Sequence, residues 1–332
     1  MKADLGLGPM STEIIEAVFK YSHYYRTELM LIASKNQIDH AGGYVNNWNT
    51  KQYMEFIKEM RKKYANSFVK ICRDHCGPGF NGNYELDDTY KTIKADIAAG
   101  FDLIHIDFCK FKGSQDEMFE ESKKAIEYCK ELNKNILIEV GTDENEGMEF
   151  TVNELGVIER DVEFFKDFCE PEFYVVQTGS LVKEITQAGT FNKKFVEKIS
   201  KFLHDNNIKL KEHNADYLSK QEILDRRGVV DAMNIAPQLG VVQTSLVLNK
   251  CLMYGIDFDD FVNVVYEGKK WEKWLDKNSP ENKFLCAVTA GHYHFASDEY
   301  KTIIEKLSEC EDINESIINA IMEVIDYYES GN

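Results

Sequence analysis

The 332-residue sequence predicts an α/β protein, a closed (β/α)8 TIM barrel, on three observations. Short apolar runs recur along the chain. Most are followed by a charged stretch with helical spacing. Polar residues able to bind metal or move protons stand where the runs end. Eight βα alternations favour a closed barrel over an open sheet. No low-complexity linker divides the chain, so residues 1–332 read as a single barrel domain.

Residues 11–26 read as an amphipathic helix, with Ile14, Ile15, Val18 and Phe19 at helical spacing. The apolar runs at 28–33, 68–72, 103–107, 136–140, 173–177, 208–212, 232–236 and 285–290 read as the eight strands. Helical stretches lie near 50–65 and over 87–99, 115–132, 154–169 and 192–206, with Gly100 placed as a C-cap. A helical insertion over 242–280, containing Trp271 and Trp274, precedes the eighth run.

A hydrophobic fraction of 43% supports a large core, and a net charge of −18 argues against nucleic acid or an anionic membrane as partner. No run of 18 apolar residues marks a transmembrane helix. The start Met1-Lys2-Ala3-Asp4 lacks the apolar region of a signal peptide, so a cytoplasmic location is expected. The eight scattered cysteines read as reduced core thiols; Cys72 and Cys76 have no second Cys/His pair at zinc-knuckle spacing.

The chemistry centres on Arg73-Asp74-His75-Cys76-Gly77-Pro78-Gly79, a carboxylate beside an imidazole where a strand meets a Gly/Pro turn. In a parallel barrel that end of the strand carries the active site. The turn at Gly77-Pro78-Gly79 is expected to bring both side chains over one pocket, with His75 on a metal and Asp74 moving a proton. The other strand ends offer Asn36 and Gln37, Asp107, Glu139, Gln177, His213, Asn234, and the pair His292 and His294. This set suits a divalent ion bound through nitrogen and oxygen, zinc first, with manganese, cobalt, nickel and magnesium also fitting. Asp107 fits a ligand, a partner orienting an imidazole, or a helix cap. His292 and His294 fit a substrate contact or a barrel-closing pair. His105, His23, His40 and His204 are assigned structural roles. Lys35, Arg73, Lys110 and Lys183 lie near strand ends, as phosphate contacts or solvated charges.

Three motifs carry a resemblance: Ser34-x-Asn36-Gln37-x5-Gly43-Tyr44, Asp74-His75-x-Gly77-Pro78, and Glu212-His213-x-x-Asp216-Tyr217. Over about residues 28–305 the chain resembles the non-catalytic-subunit-like family of tagatose-bisphosphate aldolase, which includes ketose-phosphate 4-epimerases. More distantly it is similar to class II fructose-bisphosphate aldolases, through Asp74-His75-Cys76, Glu139-Val140-Gly141, His213 and Met233-Asn234-Ile235, with Glu144 and Glu146 loosely matching an acidic loop. The resemblance implies His75 and His213 as metal ligands and Glu139 as a ligand or near-ligand. It implies Asp74, with Glu144, as the acid–base residues, and Asn234 as the group holding the carbonyl or hydroxyl end of a sugar-phosphate substrate.

The chain departs from that pattern in three places. The aldolases follow their sixth-strand His with a Gly-Gly-Ser-Gly loop whose amides bind phosphate, whereas His213 is followed by Asn214-Ala215-Asp216-Tyr217. Their further His ligand after the fifth strand has Gln177 and Thr178 in its place, which leaves Gln177 or Asp107 to complete the metal set. The family's Arg-Tyr-Tyr-Trp-like ending is Gly291-His292-Tyr293-His294-Phe295 here. Two activities follow as expectations: a metal-dependent ketose-phosphate aldolase or 4-epimerase, or a non-catalytic subunit stabilising a separate aldolase chain. Self-association into a homo-oligomer is compatible with both.

Overall fold

One barrel strand lies outside the apolar runs above. Asp4-Leu5-Gly6-Leu7 forms β1 (Asp4–Leu7), too short and glycine-containing to stand out in sequence, and it pairs in parallel with strands on both sides. A Cβ at Gly6 would sit 2.1 Å from the Asn234 side-chain oxygen, so its absence makes room for the Asn234 amide.

The computed structural model describes residues 4–142, 155–275 and 282–331. After β1 come β2 (Glu28–Ser34), β3 (Phe68–Cys76), β4 (Leu103–Ile106), β5 (Leu137–Gly141) and β6 (Phe173–Val175). A small antiparallel hairpin, β7 (Val182–Lys183) and β8 (Thr186–Gln187), precedes β9 (Lys209–Glu212) and β10 (Ala232–Ile235). The barrel closes in the order β1-β10-β9-β6-β5-β4-β3-β2, all pairings parallel. Helices α1 (Thr12–Tyr25), α2 (Thr50–Lys63), α3 (Leu86–Ala99), α4 (Gln115–Leu132), α5 (Leu155–Lys166), α6 (Lys193–Asp205), α7 (Lys220–Arg226) and α8 (Pro237–Tyr254) intervene between strands or follow the last. Their starts are written locally: Asn49/Gln52, Ser114/Glu117 and Ser219/Glu222 form capping boxes, and Gly100 ends α3 in the left-handed conformation.

The eighth expected strand is a helix. Residues 285–290 belong to α10 (Lys283–Ala290), started by the Asn282 side chain accepting from Leu285 N at 3.1 Å. A short run whose one polar residue is Thr289 has no period to separate a buried strand from a buried helix. The expected insertion before strand eight is accordingly a C-terminal helical layer after the last strand. It comprises the distal part of α8, α9 (Asp259–Glu267), α10, α11 (Asp298–Ser308) and α12 (Ile313–Gly331). The Tyr328 hydroxyl of α12 donates to Ala215 O at 2.8 Å, which ties this layer to the loop after β9.

Alternation along the strands sorts the core into two. Leu29, Leu31 and Ala33 join the large cluster between sheet and helices, whereas Met30 and Ile32 join Cys72, Leu103, Phe173 and Ala232 inside the barrel. Two residues further along the same strands, the interior column changes from apolar to Asp74, His105, Glu139 and Asn234. The polar site therefore rests on an apolar floor, built from the same faces of the same strands.

Candidate metal and acid–base site

Asp74 and His75 face one pocket because β3 is bulged. Arg73 pairs with Ile104 and Cys76 with Ile106, so Asp74 and His75 together oppose the single residue His105. His75 takes up the extra residue in a left-handed conformation, φ +46°. The sequence places this reorientation in the Gly77-Pro78-Gly79 turn; the structure places it within the strand, which runs to Cys76. Gly77 serves a different end: a Cβ there would lie 1.6 Å from Asp107 O, so its absence lets the strand ends of β3 and β4 approach.

His105 braces the bulge. Its Nδ1 accepts from His75 N at 3.3 Å and its Nε2 lies 2.9 Å from Gly141 O, linking three strands through one ring. The ring has these structural contacts, and it also faces the site. Its Nδ1 is 3.5 Å from Asp74 Oδ1 and 3.5 Å from Glu139 Oε1. Ligand-capable atoms of Asp74, His105, Glu139 and His213 all lie within 4.8 Å of one another. The signal for His105 was present in the alternation Leu103-x-His105-x-Asp107, which points all three side chains inward.

His75 is oriented from outside this group. Its Nδ1 is 2.8 Å from Asp107 Oδ2, which also accepts from the Thr142 hydroxyl at 2.9 Å, while Asp107 Oδ1 accepts from Cys109 N at 3.0 Å. Both Asp107 oxygens are thus engaged within the chain, and its ligand-capable atoms also group with those of His75 and His105. The His75 Nε2 faces Asp74 Oδ2 at 3.8 Å, and the Phe80 ring stacks on the imidazole at a centroid distance of 4.8 Å. Burial pushes the His75 imidazole down, but the Asp74 and Asp107 carboxylates outweigh it and raise it to about 9. Burial likewise opposes the ionised form of Asp74, yet His75 and His213 hold that carboxyl well below the usual range.

Glu139 meets a partner that the sequence reading did not single out. Lys211, two residues before His213 on β9, places its ammonium 2.6 Å from Glu139 Oε2, with both side chains almost wholly buried. Against the burial that raises it, Lys211, then His105 and His213, hold Glu139 at about 2. The other oxygen, Oε1, faces His213 Nε2 at 3.4 Å. A basic residue at inward spacing on a barrel strand was the available clue.

The donor set fits a divalent cation on one observation. Asp74 Oδ1 and Glu139 Oε1 are buried and have no hydrogen-bond partner among the described residues; Gln177 Nε2 and both amide atoms of Asn234 share this condition nearby along the strand ends. Buried polar atoms are rarely left unmet unless something else binds them.

The other expected site residues fall elsewhere. Asn36 is exposed and donates to Phe80 O at 2.6 Å, and Gln37 is buried with its Oε1 accepting from Ser34 N at 2.8 Å, so both hold the loop after β2. Glu144 lies outside the described residues. His292 and His294 sit in a single helical turn after α10, not at a strand end. His292 packs against Gly240 of α8 and near the rings of Tyr44, Trp274 and Tyr293. Of the basic residues, Lys35 pairs with Asp88 at 2.7 Å, Arg73 is buried against Asp96, and Lys110 lies over Phe80 at 4.2 Å.

Burial, followed by Lys273 and His294, drives the His292 imidazole down to about 3. A base with a depressed folded value binds fewer protons folded than unfolded. Its contribution to stability is therefore complete at neutral pH and is lost as pH falls below the unfolded value near 6.5. For His292 this amounts to about 3 kcal/mol at pH 4 as an upper bound. Urea melts should show His292→Gln losing less stability between pH 7 and pH 4 than the parent chain; equal slopes would refute the assignment.

Residues 9–135 match the family described as D-tagatose-1,6-bisphosphate aldolase subunit GatZ/KbaZ-like. The D-tagatose-1,6-bisphosphate aldolase subunit GatZ of Escherichia coli (strain SMS-3-5 / SECEC) is 26% identical over 100 residues, 28% of this chain and 24% of that protein. GatZ of Shigella flexneri serotype 5b (strain 8401) matches to the same extent. The match thus spans about a quarter of the curated relatives' length. Among solved structures, a probable tagatose 6 phosphate kinase from Sinorhizobium meliloti 1021 superposes with a TM-score of 0.76 at 14% identity, covering 100% of both chains. Fructose-bisphosphate aldolase (Fba) from Campylobacter jejuni superposes with a TM-score of 0.65 at 13% identity, over 99% of this chain and 90% of that one. These likenesses establish a shared fold. Among the described residues no helix is long and apolar enough to cross a membrane.

Proposed function

We propose that this chain, whose residues 9–135 match the GatZ/KbaZ-like family, is a metal-dependent ketose-phosphate aldolase or 4-epimerase working by retro-aldol cleavage of the C3–C4 bond. The observation that carries the reading is the convergence of two buried carboxylate oxygens without a hydrogen-bond partner among the described residues, Asp74 Oδ1 and Glu139 Oε1, on the imidazoles of His105 and His213.

In this reading His75, Glu139 and His213 hold a divalent ion, zinc first among those the donors suit. When bound, the ion supplies Lewis acidity to the ketose carbonyl and its neighbouring hydroxyl, favouring the enediolate. Asp107 fixes the His75 ring through Nδ1 and leaves Nε2 turned toward Asp74. Asp74 takes the proton of the C4 hydroxyl as the C3–C4 bond breaks and returns it on re-addition. Asn234 and Gln177 hold the sugar hydroxyls or carbonyl through both Asn234 amide atoms and Gln177 Nε2, which have no hydrogen-bond partner among the described residues. Release of the aldehyde fragment makes an aldolase; rotation and re-addition to its other face makes a 4-epimerase.

The word "subunit" in the relatives' names favours a second reading, a non-catalytic chain that stabilises an aldolase partner. The two separate on the purified chain. The first reading expects bound metal and either epimer or free triose from ketose phosphates. Activity appearing only after a second chain is added would select the other. His75→Ala and His213→Ala should each lower the metal bound per chain, as loss of a ligand does. Unchanged metal stoichiometry in both would discard the ligand set.

A further inference from the structure

The residue before His213 is charged, buried and turned away from the barrel interior. Alternation along β9 sends Leu210 and Glu212 toward the helices, and Lys211 and His213 inward. Glu212 is 0% exposed and meets Arg226 of α7 in a two-pronged pair, with Nε 2.6 Å from Oε2 and Nη2 2.9 Å from Oε1. The guanidinium lies over the Phe191 ring at 4.1 Å, and its Nη1 donates to Glu222 O at 2.8 Å, which leaves the fork one orientation.

The same carboxylate reaches the neighbouring strand. Glu212 Oε1 accepts from the hydroxyls of Thr178 and Ser180 in the loop after β6, and Arg226 Nη2 donates to Ser180 Oγ at 2.9 Å. With Val176 packed in the outer core and Thr178 turned to Glu212, the residue between them, Gln177, faces inward. One buried pair therefore fixes two adjacent strand ends, one carrying His213 and the other Gln177.

A like device stands behind Asp74 with the signs exchanged. Arg73, also 0% exposed, points outward from β3 and forks onto Asp96 of α3 at 2.6 and 2.9 Å. Its Nη1 donates to Ala33 O of β2 and to Ile38 O in the loop that follows. Stability does not account for such pairs. Apolar residues of similar volume often serve a fold as well or better, because two buried charges lose their hydration. What a fork adds is direction, since two parallel N–H···O bonds admit one placement of strand against helix.

We infer that Glu212 and Arg226 are positioning residues, which set His213 through the backbone of β9 and Gln177 through the hydroxyls of Thr178 and Ser180. The inference rests on the proposed reading for what is positioned, His213 on the metal and Gln177 on the sugar.

The test reads placement apart from stability. Arg226→Lys keeps the charge and loses the fork. It should weaken zinc binding about tenfold in competition with a chelator, as a ligand displaced by a fraction of an ångström would. In the metal-free chain, with histidine rings labelled with carbon-13, the His213 signal should move. Thr178→Val leaves the pair and removes one hydroxyl donor. It should raise KM for a ketose phosphate about threefold with zinc affinity unchanged, and Thr178→Ser should restore the parent value. A lowered unfolding temperature in Arg226→Lys, with zinc affinity and the His213 signal at parent values, would make the pair structural only and overturn the inference. Should that variant fail to fold, Ser180→Ala, which removes the hydroxyl shared by Glu212 and Arg226, is read in the same way. A parent chain that binds no zinc would remove the proposed activity, and the His213 signal of the metal-free chain would then decide the inference alone.

Discussion

Asp74→Asn is expected to remove turnover by about 10²–10⁴-fold while leaving the bound metal unchanged. The substitution is nearly isosteric, so the bulge that seats it should persist with His75 at φ +46° and His105 accepting its amide. What it removes is an ionisable oxygen with no hydrogen-bond partner among the described residues, held at the mouth of an apolar-floored barrel. Metal content by elemental analysis and kcat on a ketose phosphate read the two roles separately. Full activity would end the assignment of Asp74 as the proton carrier. Loss of metal together with activity would make Asp74 a ligand instead, which its place in the group with His105, Glu139 and His213 makes a sharp alternative.

The barrel itself was legible because its signal is redundant: several strands bounded by caps such as Ser114 and Gly100 point the same way. The errors fall where redundancy ends. β1 has only four residues, and its Gly6 is there for a close approach to Asn234 that involves a residue 228 positions away. Residues 285–290 have one polar residue, Thr289, and no clear period, so their helical state is set by tertiary packing and the Asn282 cap. The site followed the same division. Asp74, Glu139, His213 and Asn234 could be found as chemical residues at strand ends, and the structure brings the first three together. The bulge at His75 could not, because register is a property of two strands. Lys211 escaped notice for a related reason: on its own strand it resembles the solvated Lys209, and only the barrel's closure places Glu139 within 2.6 Å.

That pair gives the second large effect. Lys211→Met is expected to destabilise the metal-free chain by about 3–5 kcal/mol, because it leaves the Glu139 carboxylate buried without its counter-charge. The pair as a whole is worth much less, since burying two charges costs nearly what their attraction returns. The double variant Lys211→Met with Glu139→Gln should therefore recover most of the loss, a strongly non-additive cycle in urea melts. The geometry adds a further condition. Lys211 engages only Oε2, while Oε1 faces His105 Nδ1 at 3.5 Å and His213 Nε2 at 3.4 Å. A cation bound at Oε1 supplies a second counter-charge, so zinc should shrink the cost of Lys211→Met in the single variant and do little for the double. A cost that is the same with and without zinc would mean that Glu139 does not face the metal. Additive single and double variants would mean that the 2.6 Å contact is not the reason the lysine is buried.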